Sequence, residues 1–334
     1  SEPAPEISFS ESNIKLERGM AGIGAFVIGG DVYLLTYTDK ATIYKLSQDR
    51  LEKVIDGKDY GFIKRGSFNV EVVDNKAYII GGAPDKTKTG CSAKVSTGTE
   101  YDCSTNEVWV FDPVSKTLKQ TAKMKKQLEV LSSGVVDGKI YVLGGWFPNE
   151  ENLNENSIEV FDGVEWNEIQ YFGKYYPVRS AAYAVVGKKI YLFGGCLRTD
   201  INNPATFSCN TQYTQIFDTE TNTFSQGEKM PVDGRHFSGQ HTFVKGKYIY
   251  VFGGATSLSN NIFDDVAVYN TETDTWEVLD GKLTAKRKSV ASAFDGKRLW
   301  IFGGISCKPP DKCPSQGGDK IALDSVEYGE LGGI

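Results

Sequence analysis

Several features that define large classes of proteins are scarce in this sequence. Its 334 residues include only two histidines, His236 and His241, and no Cys-x-x-Cys motif. A histidine-based metal site, a zinc cluster and a Ser-His-Asp triad are therefore not expected, and we predict neither a metal nor a cofactor. Apolar runs fall well short of the roughly 20 residues that a membrane-spanning helix requires, so we predict no membrane span.

An excess of positive charge is also missing. The chain has 37 basic and 43 acidic residues, which gives a net charge of −6. Proteins that bind nucleic acid or anionic membranes generally present a basic surface. We therefore expect no nucleic-acid partner, and a partner that is a protein or a glycan.

What the sequence does contain is an internal repeat. A run of apolar and aromatic residues that ends in Gly-Gly recurs five times, and a sixth copy has lost the glycines. The six runs are VYLLTY (32–37), AYIIGG (77–82), IYVLGG (140–145), IYLFGG (190–195), IYVFGG (249–254) and LWIFGG (299–304). Segments such as VVDGKIY place Asp-Gly between apolar runs just ahead of the repeat, which predicts a tight β-hairpin.

Two further strands are predicted after each Gly-Gly. The third strand is VWVFD (108–112), IEVFD (158–162), TQIFD (214–218) or VAVYN (266–270), and the fourth carries an aromatic residue such as Trp166, Phe224 or Trp276. A four-stranded unit of about 50 residues cannot bury both faces alone, so the units must pack side by side around an axis.

Six units complete one ring and predict a single domain over residues 1–334. The expected blades span about 18–56, 65–122, 127–171, 178–229, 235–281 and 287–328. The last unit ends after its third strand, whereas segment 6–16 precedes the first unit without a partner. We expect this N-terminal strand to supply the outer strand of the last blade, which removes two exposed sheet edges.

These residues carry a family resemblance. The Gly-Gly after an apolar strand, the aromatic just before it, the aromatic on the outer strand and an Arg ahead of the inner strand together resemble the kelch repeat over almost the whole chain. The resemblance implies an all-β, six-bladed kelch-type propeller with four antiparallel strands per blade. Unit one departs from the pattern with Thr36 and Tyr37, so we expect its loop to be distorted.

The six cysteines bracket the loops that follow Gly-Gly in alternate blades. The predicted disulfides are Cys91–Cys103, Cys196–Cys209 and Cys307–Cys313. Disulfides persist in oxidising compartments, so we expect a secreted or extracellular protein. The start at Ser1 fits removal of a signal peptide, but it fits removal of an initiator Met equally well.

The turns that precede the inner strands share a rim with the disulfide loops. They carry five arginines, while blade three has Glu129 where its arginine is expected. The arginines are Arg18, Arg65, Arg179, Arg235 and Arg287. Grouped near the axis they would hold a carboxylate, sulfate or phosphate in forked pairs. The alternative is that they belong to the repeat and brace the blades.

Aromatic residues lie in the same segments. Trp146 follows a Gly-Gly, and Tyr175 and Tyr176 precede Pro177. Such side chains suit a sugar ring or a protein partner, or else they pack beneath the loops. The basic run KRK at 286–288 is predicted to be a solvated turn.

The sequence is compatible with two functions. The first is a binding or scaffold protein, expected to be monomeric, that engages a macromolecular partner through the braced loops. The second is a carbohydrate-active protein that holds an acidic sugar in an Arg-lined central pocket. Some six-bladed kelch proteins are sialic-acid mutarotases; that resemblance would make Glu129 an acid or base of a metal-independent isomerase or lyase. Galactose oxidases and nitrile-specifier proteins share the architecture, but their metal-binding motifs are missing here.

Overall fold

The computed structural model describes most of the chain. The described residues are 3–37, 41–48, 50–56, 60–94, 100–147, 153–154, 156–198, 207–232, 234–256, 261–308 and 319–332. Six sheets, each with four main antiparallel strands, surround an axis, as the repeat predicts.

The N-terminal strand and the first two blades are built from short strands joined by tight turns. In chain order the elements are β1 (Ile7–Lys15), β2 (Gly24–Ile28), β3 (Asp31–Tyr37), β4 (Ala41–Ser47), β5 (Arg50–Asp56), β6 (Arg65–Gly66), β7 (Asn69–Val73), β8 (Lys76–Ile80), β9 (Ala83–Pro84), α1 (Lys86–Thr89), β10 (Ser92–Lys94), β11 (Glu100–Asp102), β12 (Val108–Asp112) and β13 (Thr117–Gln120). Blade one has the order β2-β3-β4-β5, and blade two β7-β8-β12-β13.

Blades three and four follow the same plan. Their elements are β14 (Ser132–Val136), β15 (Lys139–Leu143), β16 (Trp146–Phe147), β17 (Leu153–Asn154), β18 (Ile158–Phe161), β19 (Trp166–Ile169), β20 (Phe172–Gly173), β21 (Val178–Arg179), β22 (Ala182–Val186), β23 (Lys189–Phe193), β24 (Cys196–Arg198), β25 (Phe207–Ser208), β26 (Thr214–Asp218) and β27 (Thr223–Gly227). Blade three is β14-β15-β18-β19, and blade four is β22-β23-β26-β27 with β20 added in parallel at its edge.

The last two blades return the chain to its start. They contain β28 (Thr242–Lys245), β29 (Tyr248–Phe252), β30 (Val266–Asn270), β31 (Thr275–Val278), β32 (Ala291–Phe294), β33 (Arg298–Phe302), β34 (Ile305–Lys308), β35 (Asp319–Ala322) and β36 (Ser325–Leu331). Blade five is β28-β29-β30-β31, and blade six is β32-β33-β36-β1. The inner strands β2, β7, β14, β22, β28 and β32 contact one another in sequence and close the ring.

The predicted closure by the N-terminal strand is confirmed. Strand β1 pairs antiparallel with β36, from Ile7 opposite Leu331 to Lys15 opposite Ser325. Ile7 is buried in the apolar cluster between blades five and six, where it packs with residues such as Phe243 and Leu299. The two ends of the chain therefore complete one blade together.

Aromatic residues on the outer strands fill the gaps between blades. Trp166 is fully buried, and its indole donates a hydrogen bond to the carbonyl of Ala122, in the segment that joins blades two and three. Trp276 of blade five packs edge-on against Phe193 of blade four, with ring centroids 5.1 Å apart. Burial of these large side chains is a main source of stability between neighbouring sheets.

The paired glycines allow adjacent blades to approach each other closely. Gly81 has a φ of +64°, and a Cβ there would lie 2.5 Å from the carbonyl oxygen of Leu128 in blade three. Only glycine meets both demands. Blade one has no such pair: β3 continues through Thr36 to Tyr37, and the Tyr37 hydroxyl donates one hydrogen bond, to the carbonyl of Gly22, with the carbonyl of Ala21 nearby.

A ring of left-handed residues surrounds the axis where the inner strands begin. One residue per blade has a positive φ: Gly22, Ser67, Val130, Ser180, Ser238 and Ser289. Backbone amides here donate to carbonyls of the adjacent blade: Gly22 to Ser289, Ser289 to Phe237, Phe237 to Ser180, Ser180 to Val130 and Val130 to Ser67. Only about 20 Å³ of cavity remains at this level, room for about one water molecule.

The amide of Gln240 narrows the same end of the axis. Its oxygen accepts a hydrogen bond from the Ala25 amide at 2.8 Å, and its nitrogen donates to the Ala25 carbonyl at 2.7 Å. Gln240 belongs to blade five and Ala25 to blade one, so the side chain reaches past blade six. The axial channel is therefore constricted at one end.

Candidate functional site

The two ends of the propeller differ in construction. We call the end at which the inner strands begin the loop face; it carries the short strands β6, β9 to β11, β16, β17, β21, β24, β25, β34 and β35. The opposite end, which carries the turns of the inner hairpins, is the hairpin face. At that end, left-handed pairs such as Asp137-Gly138 form tight turns.

Disulfides hold the extensions of the loop face. Cys91 is bonded to Cys103 and Cys196 to Cys209, as the sequence predicts. Cys307 also takes part in a disulfide, whereas its predicted partner, Cys313, lies outside the described residues. Cross-links of this loop length each contribute about 2–3 kcal/mol by restricting the unfolded chain.

Three of the five predicted arginines form ion pairs inside their own blades. Each guanidinium reaches a carboxylate at or just before the third strand. The pairs are Arg65–Glu107 at 2.7 Å, Arg235–Asp265 at 2.6 Å and Arg287–Glu327 at 2.8 Å. All three arginines are at most 3% exposed. They do not converge on the axis.

These arginines also brace the Gly-Gly turns. Arg235 donates to the carbonyl of Gly253 and Arg287 to that of Gly303, both at 3.0 Å. The guanidinium of Arg235 lies 3.9 Å from the centre of the Phe263 ring. The hydrogen bonds, ion pair and ring contact together fix the turn against the third strand, a bracing role within one blade.

Arg179 occupies a different position in the repeat. It pairs with Cys196, the residue after a Gly-Gly. By the same pairing Glu129 lies opposite Trp146, His236 opposite Ala255 and Lys288 opposite Ile305. Arg179 therefore corresponds to His236 and Lys288, whereas the buried Arg235 and Arg287 lie one residue earlier in their blades.

We call Glu129, Arg179, His236 and Lys288 the rim arc. They lie at equivalent positions on four consecutive blades of the loop face. Sequence patterns did not identify His236 and Lys288 as binding residues, and they predicted a solvated turn for KRK at 286–288. That prediction is wrong for Arg287, which is fully buried, and Lys288 is partly buried.

Positive charge lies on the part of the rim arc between Arg179 and Lys288. Burial, followed by repulsion from Lys288, lowers the pKa of His236 to about 3, so its imidazole is neutral at pH 7. Burial and the neighbouring Lys320 lower the pKa of Lys288 to about 8, which leaves it mostly protonated. Arg179 and Lys288 thus flank a neutral imidazole, an arrangement that suits an anionic group.

Trp146 forms one wall beside the rim arc. The guanidinium of Arg179 lies 4.3 Å from the centre of its ring, close enough for a cation–π contact. Trp146 is 9% exposed, so most of its surface is covered. The contact joins blade three to blade four and orients the Arg179 side chain.

The other predicted site residues lie away from the rim arc. Tyr175 stacks on Phe224 with centroids 4.2 Å apart, which makes it part of the packing at the outer strand. Tyr176 stacks on Tyr213 at 4.7 Å. Arg18 is exposed, and its guanidinium donates to the Tyr37 carbonyl at 3.4 Å. The structure therefore brings Arg179, Trp146 and Glu129 together but leaves these three residues apart.

No helix among the described residues is long and apolar enough to cross a membrane.

Comparison with known proteins agrees with this architecture. A family model for the KLHDC2/KLHL20/DRC7 kelch-repeats domain matches residues 67–304. The solved structure of YjhT superposes with a TM-score of 0.65 and 16% sequence identity, over 95% of this chain and 96% of that one. At this identity the likeness shows the fold alone.

Curated relatives share the repeat at low identity. The Kelch-like protein terF of Aspergillus terreus is 30% identical over 217 residues, which are 62% of this chain and 45% of that protein. Kelch-like protein 25 of Xenopus tropicalis is 24% identical over 92% of this chain and 48% of that protein. Human Kelch domain-containing protein 3 is 24% identical over 78% of this chain and 64% of that protein. The chain spans about half to two thirds of the length of these relatives. With the blade architecture and the family match over residues 67–304, the chain belongs to the kelch-repeat β-propeller family.

Proposed function

We propose that the loop face is the docking surface for a protein partner, and that the rim arc receives an acidic group of that partner. The observation that carries the proposal is the equivalence of Arg179, His236 and Lys288 on consecutive blades. The cations Arg179 and Lys288 lie on either side of the neutral His236 at one end of a rigid ring. Loops on rigid scaffolds commonly carry binding specificity.

Electrostatics favour an acidic ligand group. The charges of Lys288, Arg179 and Lys320 help to lower the pKa of His236, so three cations lie near one imidazole. A carboxylate bound there would accept hydrogen bonds from these cations and relieve their mutual repulsion. The chain as a whole has a net charge of −6, so this local sign is opposite to the average.

The disulfides support an oxidising compartment for this activity. Cys196 lies opposite Arg179 in the pairing of β21 with β24, and its bond to Cys209 ties β24 to the segment after β25. The cross-link therefore stabilises the strand next to a rim-arc residue. A secreted or extracellular binding protein fits these features.

An acidic sugar is the second candidate for the same site. Trp146 lies beside Arg179 with a small part of its ring exposed, and Glu129 lies opposite Trp146 within blade three. Such a set would bind a sugar carboxylate and place an acid or base nearby. In this alternative the protein would be a metal-independent isomerase or lyase.

A peptide selection tests the first proposal. A random peptide library displayed on phage is selected against the folded protein, and the best peptides are synthesised and titrated by fluorescence anisotropy. We expect them to be rich in Asp and Glu, and to lose at least about tenfold in affinity for a variant that combines Arg179→Ala with Lys288→Ala. Lys188→Ala, an exposed lysine paired with Asp137 near the hairpin face, is the matched control and should change little.

The outcomes separate the two candidates. Selected peptides without acidic residues, or unchanged affinity in the double variant, would contradict the proposed docking site. A thermal-shift screen with sialic acid, glucuronic acid and phosphate addresses the alternative. A rise in Tm with one acidic sugar that Arg179→Ala abolishes, together with peptide binding too weak to measure, would favour the carbohydrate function.

A further inference from the structure

A second site lies inside the propeller, in the hairpin half of the axial channel. A cavity of about 360 Å³ is lined there by the inner strands of blades one to four and six, and by Gln240, which precedes the inner strand of blade five. The strands are buried near the loop face and become partly exposed toward the hairpin face, as in β7 and β22. The cavity is therefore reached from the hairpin face, and its volume lies in the range of small-molecule sites.

The cavity contains a carboxyl group without a cationic partner. Glu71 extends from β7, and the Ser133 hydroxyl donates to its Oε1 at 2.6 Å. Ser133 in turn accepts from the Asn69 amide at 2.9 Å. Among the described residues no basic side chain pairs with Glu71, and the inner strands around it are described throughout. Burial raises the pKa of Glu71 to about 7.

A hydroxyl lies close to Glu71. The Oη atom of Tyr183, on β22, is buried near Ser133 and Asn69, and no well-formed hydrogen bond to it is found among the described residues. Burial, followed by the nearby Glu71, raises the pKa of Tyr183, so the phenol is neutral. A bound group that hydrogen-bonds to this buried oxygen would recover the free energy lost when water was removed from it.

Much of the remaining wall of the cavity is apolar, apart from Gln240 and Ser292. Val72, Val135 and Val185 lie at equivalent positions of blades two to four, and Phe294 lies at that position in blade six. A ligand must therefore offer a polar head to Glu71 and Tyr183 and a hydrocarbon body to these side chains. An anionic head would face the Glu71 carboxylate and be repelled.

We propose that this cavity binds a small organic ammonium ion, with its head against Glu71 and Tyr183 and its hydrocarbon body along the valine walls. An ammonium group has three donors, enough for the free Glu71 oxygen, Tyr183 Oη and one water. It also supplies the charge that a buried carboxylate needs. This site is separate from the loop face, so the two proposals succeed or fail independently.

Three probes of matched shape test the assignment. Cyclohexylamine, cyclohexanol and cyclohexanecarboxylate are titrated into the full chain by isothermal titration calorimetry at pH 8, where Glu71 is mostly ionised and the amine is protonated. We expect the amine to bind at least about tenfold more tightly than the alcohol, because only the amine neutralises Glu71. The carboxylate should give no binding heat.

Variants separate the site from general effects on the fold. Glu71→Gln keeps the side-chain shape and should reduce the amine affinity at least about tenfold while leaving the alcohol unchanged. Tyr183→Phe removes the buried hydroxyl without loss of packing and should weaken the amine about fivefold. Glu272→Gln, an exposed glutamate paired with Lys247, is the control and should leave all three titrations unchanged.

Acidification gives an independent readout. From pH 8 to pH 6 the amine affinity should fall about tenfold as Glu71 becomes protonated. The strands that contact β7 carry Tyr78 and Tyr141, whose pKa values are raised by burial, and Lys76 and Lys139, which are exposed at the hairpin face. Tyr183 also lies near Glu71, and other charged groups at this end include Asp74, Asp137, Lys245 and Asp295.

Each remaining outcome would overturn the proposal. Equal affinity for the amine and the alcohol would make the cavity an unspecific apolar pocket. An unchanged amine affinity in Glu71→Gln would place the ammonium elsewhere. Absence of binding heat with all three probes would mean that the cavity holds water alone.

Discussion

Arg287 and Glu327 form an ion pair of 2.8 Å in which both side chains are completely buried. Arg287 also donates to the Gly303 carbonyl, and Glu327 accepts from the backbone amide of Thr284 at 2.6 Å. One buried pair thus connects the segment before the inner strand, the Gly-Gly turn and the third strand of blade six.

Breaking this pair should be costly. Arg287→Met leaves Glu327 without its cation in the interior, and we expect the free energy of unfolding to fall by about 3–5 kcal/mol. Urea denaturation followed by tryptophan fluorescence measures the change. Adding Glu327→Gln to the variant should restore much of the loss, because no unpaired charge then remains.

An exposed pair provides the comparison. Arg298 and Glu330 lie 2.6 Å apart with side chains 35% and 43% exposed, so Arg298→Met should cost at most about 1 kcal/mol. If the two arginine variants lose equal stability, the buried pair is not the brace that its geometry suggests.

Closure of the ring can be tested on adjacent residues of β1. Ile7 is 3% exposed between blades five and six, whereas the neighbouring Ser8 points to solvent. Ile7→Ala should reduce the free energy of unfolding by about 2–4 kcal/mol, and Ser8→Ala by less than about 0.5 kcal/mol. Similar small losses for both would show that β1 adds little to the last blade.

Protonation of Glu71 should make part of the stability depend on pH. Its pKa is raised from 4.5 to about 7, so between these values the folded protein holds more protons than the unfolded chain. This contribution is fully present below about pH 4.5 and is lost as the pH rises through 7. Solvent in the cavity screens the effect of burial, so we expect the pH-dependent contribution of Glu71 to the free energy of unfolding to be about 2 kcal/mol.

The measurement compares two proteins across the pH range. Burial lowers the pKa values of His236 and His241, which makes the stability of both proteins rise with pH. The difference in stability between wild type and Glu71→Gln removes this shared effect and isolates the contribution of Glu71. Urea midpoints are determined from pH 4.5 to pH 8. A difference that does not change with pH would contradict the raised pKa.

The disulfides determine how many free thiols the protein should show before and after reduction. Protein prepared without reductant and then denatured should show no reaction with Ellman's reagent, because the described cysteines are all bonded. Reduction should release six thiols and lower the Tm, since the loops lose their cross-links. Six thiols before reduction would remove the argument for an oxidising compartment.

The architecture could be predicted because its signals are local and repeated. Asp137-Gly138 marks a hairpin within the span of one turn, and the aromatic Trp166 recurs at the same offset in other blades. Counting the strands of each unit was enough to pair the N-terminal segment with β36, because the last unit lacked a fourth strand.

The site could not be predicted to the same extent, because it depends on strand register. Arg235 and Arg179 both stand just ahead of an inner strand, yet they differ by one residue in their pairing with the segment after Gly-Gly. Successive side chains on a strand point in opposite directions. A register difference of one residue therefore points Arg235 into its blade and Arg179 toward the loop face. Sequence spacing cannot resolve that difference. Glu71, by contrast, left a signal as the one charge in the inner strand NVEVV.

The ring of left-handed residues that runs from Gly22 through all six blades to Ser289 limits how solutes reach the axial channel. Together with the amide of Gln240, this ring narrows the channel at the loop face, so the interior of the propeller is a cup with one opening, at the hairpin face. Solutes in the cup must enter and leave by the hairpin face. A large partner seated on the loop face would therefore leave diffusion into the cup unobstructed, and both sites could be occupied at once.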